Sequence, residues 1–141
     1  MKRYFLPFLL ITLVLFCGCS KDILKSYDER IVGTWQITDI DKVGIGSNAS
    51  SLTFREGTFT FYENGTLEYL DAANTSYSGS WEITKREINN NTIRNLHVTA
   101  IDFTNQQVLT EIYDDMQFTG TNRFRGIIET GLQKYITHFR R

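Results

Sequence analysis

Two short runs on either side of an Asn-Gly pair constrain the fold of this chain more than any other feature. Thr58-Phe59-Thr60-Phe61-Tyr62 alternates polar and apolar residues, Glu63-Asn64-Gly65 interrupts it, and Thr66-Leu67-Glu68-Tyr69-Leu70 resumes the alternation. Successive side chains of a strand point to opposite faces, so both runs read as half-buried strands. Asn-Gly between them predicts a tight hairpin with both residues at positive φ, a type I′ turn. The same period of two runs through the rest of the chain. Gly33-Thr34-Trp35-Gln36-Ile37-Thr38-Asp39-Ile40 is rich in β-branched and aromatic residues, and Tyr77-Ser78-Gly79-Ser80-Trp81-Glu82-Ile83-Thr84 sets its large residues on one face. Residues 93–103 place Leu96, Val98 and Ala100 opposite His97, Thr99 and Ile101. Residues 108–118, interrupted near Asp114-Asp115, then 123–130 and 133–139, complete the set. No stretch past residue 31 keeps a period of 3.6. Eight consecutive strands joined by short turns predict an all-β fold, an eight-stranded antiparallel up-and-down barrel. Closure would remove the edges that an open sheet leaves exposed.

The N-terminus is of another kind. Lys2 and Arg3 precede an apolar run, residues 4–16, broken by Pro7 and Thr12. A comfortable membrane span needs about 20 residues. The run instead suits the apolar region of a cleaved signal peptide. Phe16-Cys17-Gly18-Cys19-Ser20 follows and resembles a bacterial lipoprotein lipobox, which needs a small residue before the modified cysteine. Gly18 before Cys19 satisfies that requirement, and bulky Phe16 before Cys17 does not. The resemblance implies removal of residues 1–18 and lipidation of Cys19, by a diacylglycerol thioether and an amide-linked acyl chain. Each buried methylene of such chains contributes about 0.8 kcal/mol, so several chains suffice for stable anchoring. Residues 19–30 then form a charged tether, with a short helical turn led by Asp22 and using Ile23, Leu24 and Tyr27. Residues 31–141 form the barrel domain. Ser20-Lys21-Asp22 resembles, with one acid in place of two or more, the surface-export tag of Bacteroidetes lipoproteins. The expected location is the cell envelope, on the outer membrane and with surface exposure as one reading.

Composition limits what holds such a domain together. Lys2 and Arg3 leave with the signal, so 15 basic residues become 13 against 16 acidic ones. No positive stripe stands out, which argues against a nucleic-acid partner. The two cysteines are Cys17, lost with the signal, and Cys19, used for lipid, so no disulfide supports the domain. Cohesion has to come from burial. Of the 10 Phe, 7 Tyr and 2 Trp, only Tyr4, Phe5, Phe8 and Phe16 fall in the signal, and each remaining ring carries a large apolar area. Pro7 is the single proline, leaving long ladders uninterrupted.

Gly33-Thr34-Trp35 at the head of the first strand resembles the Gly-x-Trp signature of lipocalins. Phe61-Tyr62-Glu63-Asn64-Gly65-Thr66 on the hairpin and Gly79-Ser80-Trp81 on the fourth strand extend the resemblance to the lipocalin-like lipoproteins of Bacteroidetes. It implies an eight-stranded barrel in which Trp35 plugs the closed end. It also implies a late arginine stacked on that ring, with Arg125 and Arg140 as the candidates. The domain is shorter than most lipocalins, and small barrels are either filled by side chains or hold one small ligand.

Phe59, Phe61, Trp81, Ile83, Tyr135 and Phe139 lie on the large-residue faces and are the candidate lining of a ligand site. Catalysis has little support. His97 and His138 are far apart and lack cysteine partners, so no metal site is expected. Asp114-Asp115 lacks the ligand spacing of a calcium loop and reads as a turn or bulge. No phosphate loop or nucleophile elbow is present, and no cofactor is implied. Asn48, Asn64, Asn74 and Asn90, each in an Asn-x-Ser/Thr pattern, read as turn residues. The expected function is therefore a lipid-anchored envelope protein, not an enzyme, that binds a small hydrophobic molecule or glycan fragment. The rival is a solid barrel that uses its loops, residues 44–51 and 71–76, or its outer surface to bind another envelope or host protein.

Overall fold

The computed structural model describes residues 25–44 and 52–141. A short helix, α1 (Tyr27–Ile31), leads into nine strands: β1 (Gly33–Gly44), β2 (Thr58–Phe61), β3 (Thr66–Leu70), β4 (Ser76–Ile88), β5 (Asn91–Asp102), β6 (Gln107–Tyr113), β7 (Asp115–Gly120), β8 (Arg123–Thr130) and β9 (Gln133–Arg140). All pair antiparallel in one sheet of order β6-β5-β4-β3-β2-β1-β9-β8-β7. Consecutive strands are neighbours except β6 and β7, which lie at opposite edges of the sheet, and β9 returns to pair with β1.

The all-β expectation holds, but the eight-stranded barrel does not. The sheet has nine strands, and no ladder closes it. The cause lies in the segment expected as one strand over 108–118. It breaks at Asp114. Before the break, β6 pairs with β5; after it, β7 pairs with β8. At the break the Asp114 N–H donates to Ile127 O, and its carboxylate accepts from the Glu129 N–H. The two ends of the sheet are thus one residue apart along the chain, and β7 lies against β5. The sheet curls round a common interior while its first and last strands face different partners.

Turn chemistry also redistributes. The hairpin at Glu63-Asn64-Gly65 forms, but Gly65 alone of the three has positive φ, at 79°. Gly65 N–H donates to Tyr62 O, and Tyr62 N–H to Thr66 O, the pattern of a three-residue loop ending in a left-handed glycine. Asn64 keeps an ordinary φ because its side chain accepts from both the Thr66 N–H and hydroxyl. The paired positive φ of a type I′ turn occurs instead at Asn89 (49°) and Asn90 (64°), between β4 and β5. The helical turn expected near Asp22 falls largely outside the described residues. α1 is capped by Ser26, whose hydroxyl accepts from Glu29 N–H while the Glu29 carboxylate accepts from Ser26 N–H. This reciprocal pair satisfies two N–H groups that a helix start leaves open.

Burial follows the alternation. Trp35 and Ile37 on β1, Phe59 and Phe61 on β2, Leu67 and Tyr69 on β3, and Tyr77 and Trp81 on β4 all turn inward. Leu96, Val98 and Ala100 continue the inner face on β5, and Tyr135, Thr137 and Phe139 on β9. α1 covers the end where β1 begins and β9 finishes. The opposite end carries the β5–β6 and β8–β9 turns.

Candidate functional site

The end beneath α1 is built round Trp35. Its ring is fully buried, and its indole N–H donates to Ile31 O at 2.6 Å. Phe124 meets the ring edge-on at 4.7 Å between centroids. Tyr27 and Arg30 of α1 both rest on Phe118, and Arg94 from the long β4–β5 hairpin lies over Tyr27. The arginine on Trp35 is neither Arg125 nor Arg140. Arg141 places its guanidinium 4.2 Å from the ring and donates to Arg30 O and Val32 O. Arg125 instead points to Gln117 on the outer face of β7 and β8. Arg140 is exposed, because alternation along β9 sends it outward when Phe139 turns in. Arg141 lies beyond β9 and escapes that alternation, so it folds back under the end of the sheet.

The interior above Trp35 is filled by rings in mutual contact. Phe124 and Phe139 stack at 4.2 Å. Phe139 also meets Phe59 and Tyr113, and Phe59 meets Phe61 and Tyr69. Phe61 packs edge-on against Trp81, whose indole donates to Tyr62 O. Five of the six expected lining residues, Phe59, Phe61, Trp81, Tyr135 and Phe139, are therefore buried; Phe59, Phe61 and Phe139 share one ring cluster, with Trp81 joined at Phe61. Ile83 is half-buried and packs on the margin of the core. Cys19 lies outside the described residues.

A segment that belongs to no strand closes the other end. Residues 52–57 cross the interior as a strap, burying Leu52 and Phe54. Phe54 meets Phe59 at 5.1 Å and Tyr69 at 4.8 Å, both edge-on. Thr53 fixes the strap to β6: its N–H donates to the Glu111 carboxylate at 3.0 Å and its hydroxyl to Thr110 O at 2.9 Å. Tyr69 Oη donates to Glu56 O, and Ile37 N–H to Gly57 O. Tyr113 Oη and Thr137 Oγ1 are buried without a hydrogen-bond partner among the described residues. A buried hydroxyl left unpaired costs about 1 to 3 kcal/mol.

The charges of this region follow from its burial. Burial, then the Glu111 carboxylate and Tyr69, push the Tyr113 hydroxyl well above the ordinary tyrosine pKa. Burial, then Asp71, Tyr77 and Glu56, push Tyr69 up to about 12. Both phenols stay neutral over the range in which the protein would work, and can only donate or accept hydrogen bonds. Tyr113→Phe, which removes the unpaired oxygen and little else, should raise unfolding stability by about 1 kcal/mol in urea denaturation. A loss of similar size would mean that the hydroxyl is satisfied in solution.

Outside, His138 Nε2 stands 2.9 Å from the Asp41 carboxylate, and His97 lies near Glu82 and Thr84 on the far side of the sheet. Among the described residues no three His, Cys, Asp or Glu side chains converge on a metal position. Asp114 serves the strand break, and Asp115 accepts from the Gln117 amide. Asn74, Asn89 and Asn90 occupy positive-φ turns.

No family model matches the chain, and neither a curated protein nor a solved structure matches it. The sequence reading overlooked the strap, although Leu52-Thr53-Phe54 has the apolar-polar-apolar spacing of a buried extended segment. It also overlooked Tyr69, Tyr77 and Tyr113, which share inner faces with residues it did select.

Proposed function

We propose that the chain is a lipid-anchored binding protein of the bacterial envelope, held to the outer membrane through Cys19. Its ligand is a small, flat, mainly apolar molecule carrying a hydroxyl or carbonyl. The observation that carries this reading is the strap. Leu52 and Phe54 come from an irregular segment, yet occupy the same interior as Phe59, Tyr69 and Tyr113. They fill space that a ring-bearing ligand would fill, in the core that also holds Tyr113. Residues 52–57 pair with no strand, so the strap can yield to a ligand without unpairing the sheet.

A ligand that has to displace the strap binds with its affinity reduced by the fraction of open protein. Phe54→Ala weakens the strap and should tighten binding at least about tenfold, a factor of ten for each 1.4 kcal/mol of closure lost. Quenching of Trp35 and Trp81 fluorescence by fatty acids, retinoids and haem provides the measurement, with far-UV circular dichroism confirming the fold. Should neither wild type nor variant respond to any apolar class, the interior is solid. The rival reading then gains from the rim opposite α1, where Val43, Leu70, Phe103, Val108 and Leu132 are exposed on strand ends and turns and would suit a protein partner. The anchor has its own test. Cys19→Ala should leave the protein folded but move it from the membrane fraction to the soluble fraction.

A further inference from the structure

The outer wall of the sheet where β8, β9, β1 and β2 run side by side has a chemistry that neither the interior nor the anchor uses. Arg140 on β9 stands opposite Arg123 on β8 and opposite Gln36 on β1. Cross-strand partners point to the same face, about 5 Å apart, and like charges so placed repel. Both guanidiniums are exposed, and among the described residues neither has a hydrogen-bond or ion-pair partner. Two adjacent guanidiniums with no ion-pair partner among the described residues make a site for an anion.

Two clefts share Arg140 and Thr38. One, of about 340 Å³, is lined by Arg123, Arg140, Thr38, Thr119 and His138, together with Asp39 and Asp41. Both acids keep their charge, but among the described residues neither forms an ion pair with Arg123 or Arg140; Asp41 stands by His138, and Asp39 accepts from the Ile40 N–H. The other, of about 500 Å³, is lined by Thr34, Gln36, Thr38 and Thr58 with Arg140 and Arg141, with no Asp or Glu side chain among them. Thr38 sits where the β1–β9 register slips, an extra residue between Ile37 and Asp39. Such bulges re-aim side chains and are frequent beside sites. Here the bulge puts a hydroxyl between the two clefts. Hydroxyl, amide and guanidinium groups therefore run across four strands, about 14 Å at 4.8 Å per strand spacing.

We infer that this wall binds an acidic polysaccharide chain. Arg123 and Arg140 take its carboxylate or sulfate, and Thr34, Gln36, Thr38 and Thr58 take the hydroxyls of the flanking sugars. An inorganic anion would need the arginines alone. A strip of neutral donors and acceptors beside them fits an anion carried on a polyhydroxylated chain. The wall is separate from the strap and the interior, so the inference stands or falls independently of the proposed ligand site.

The test is titration of the purified full chain with polygalacturonate, heparin, neutral dextran and a DNA duplex at low and moderate salt. Wild type should bind one of the two acidic glycans, the uronate and sulfated arms identifying which acid group is read, and should ignore dextran. Arg123→Gln/Arg140→Gln should weaken that binding at least tenfold and flatten its salt dependence, with an unchanged melting temperature. Thr38→Val should weaken it several-fold without altering the salt dependence. Arg86→Gln, a charge removed from the distant β4–β5 hairpin, should leave it unchanged. Wild-type binding by the double variant, an equal loss in Arg86→Gln, equal affinity for DNA, or no binding to either acidic glycan would overturn the inference.

Discussion

Trp35→Ala should lower unfolding stability by about 3 to 5 kcal/mol, the range for deleting a large buried aromatic. The ring is fully buried and joins four separate parts of the chain at one point. Its N–H holds Ile31 of α1, Phe124 of β8 presses on its edge, Phe118 of β7 lies alongside, and Arg141 covers its exposed direction. Truncation leaves a cavity and also frees Arg141 from the ring it covers. Trp35→Phe keeps most of the packing and loses the indole hydrogen bond, so it should cost only about 1 kcal/mol for that bond plus the smaller ring's packing. Urea denaturation followed by circular dichroism measures both. If Trp35→Ala leaves the midpoint in place and abolishes ligand binding, the ring is a ligand contact and its structural role is refuted.

Gly79→Ala should be nearly as damaging, at about 3 kcal/mol, the upper end for overpacking a well-fitted interior. A Cβ on Gly79 would fall 1.8 Å from Thr99 O and 2.9 Å from Ala100 Cα. Those are backbone atoms of β5, which cannot rotate away as a side chain can. Relief would require β4 and β5 to separate, and that ladder runs from Ser78 to Ile88. Gly120→Ala is the control, because its Cβ would meet nothing within 4 Å. A neutral Gly79→Ala beside a neutral Gly120→Ala would show that β5 shifts freely there.

Gly79 shows how much of the fold was legible. Its place two residues before Trp81 was visible as a small residue among large ones, and the alternation gave the inner face correctly. The reason for glycine was invisible, because it lies in Thr99 and Ala100 across the sheet. The aromatic interior was legible in the same way: Phe59, Phe61, Tyr135 and Phe139 occupy the faces that their period assigns. Arg141 was missed because alternation governs residues within a ladder, and Arg141 lies beyond the end of β9. The Asn64-Gly65 turn was placed correctly and typed wrongly. The Asn64 side chain bonds forward to Thr66 and keeps its own backbone out of the left-handed region.

By itself the sequence determined the strands, because the alternation of side chains is a local property and each run of period two carries its own burial instruction. It also determined that cohesion rests on aromatic burial, since no disulfide is available to the domain. Tertiary structure decided the rest. Whether a ladder closes depends on which partner each half of a bent strand finds, and at Asp114 the two halves find β5 and β8. Whether the interior stays open depends on what crosses it, and residues 52–57, which belong to no ladder, place Leu52 and Phe54 there. Both are contacts between segments distant in sequence, and a period of two residues carries no information about them.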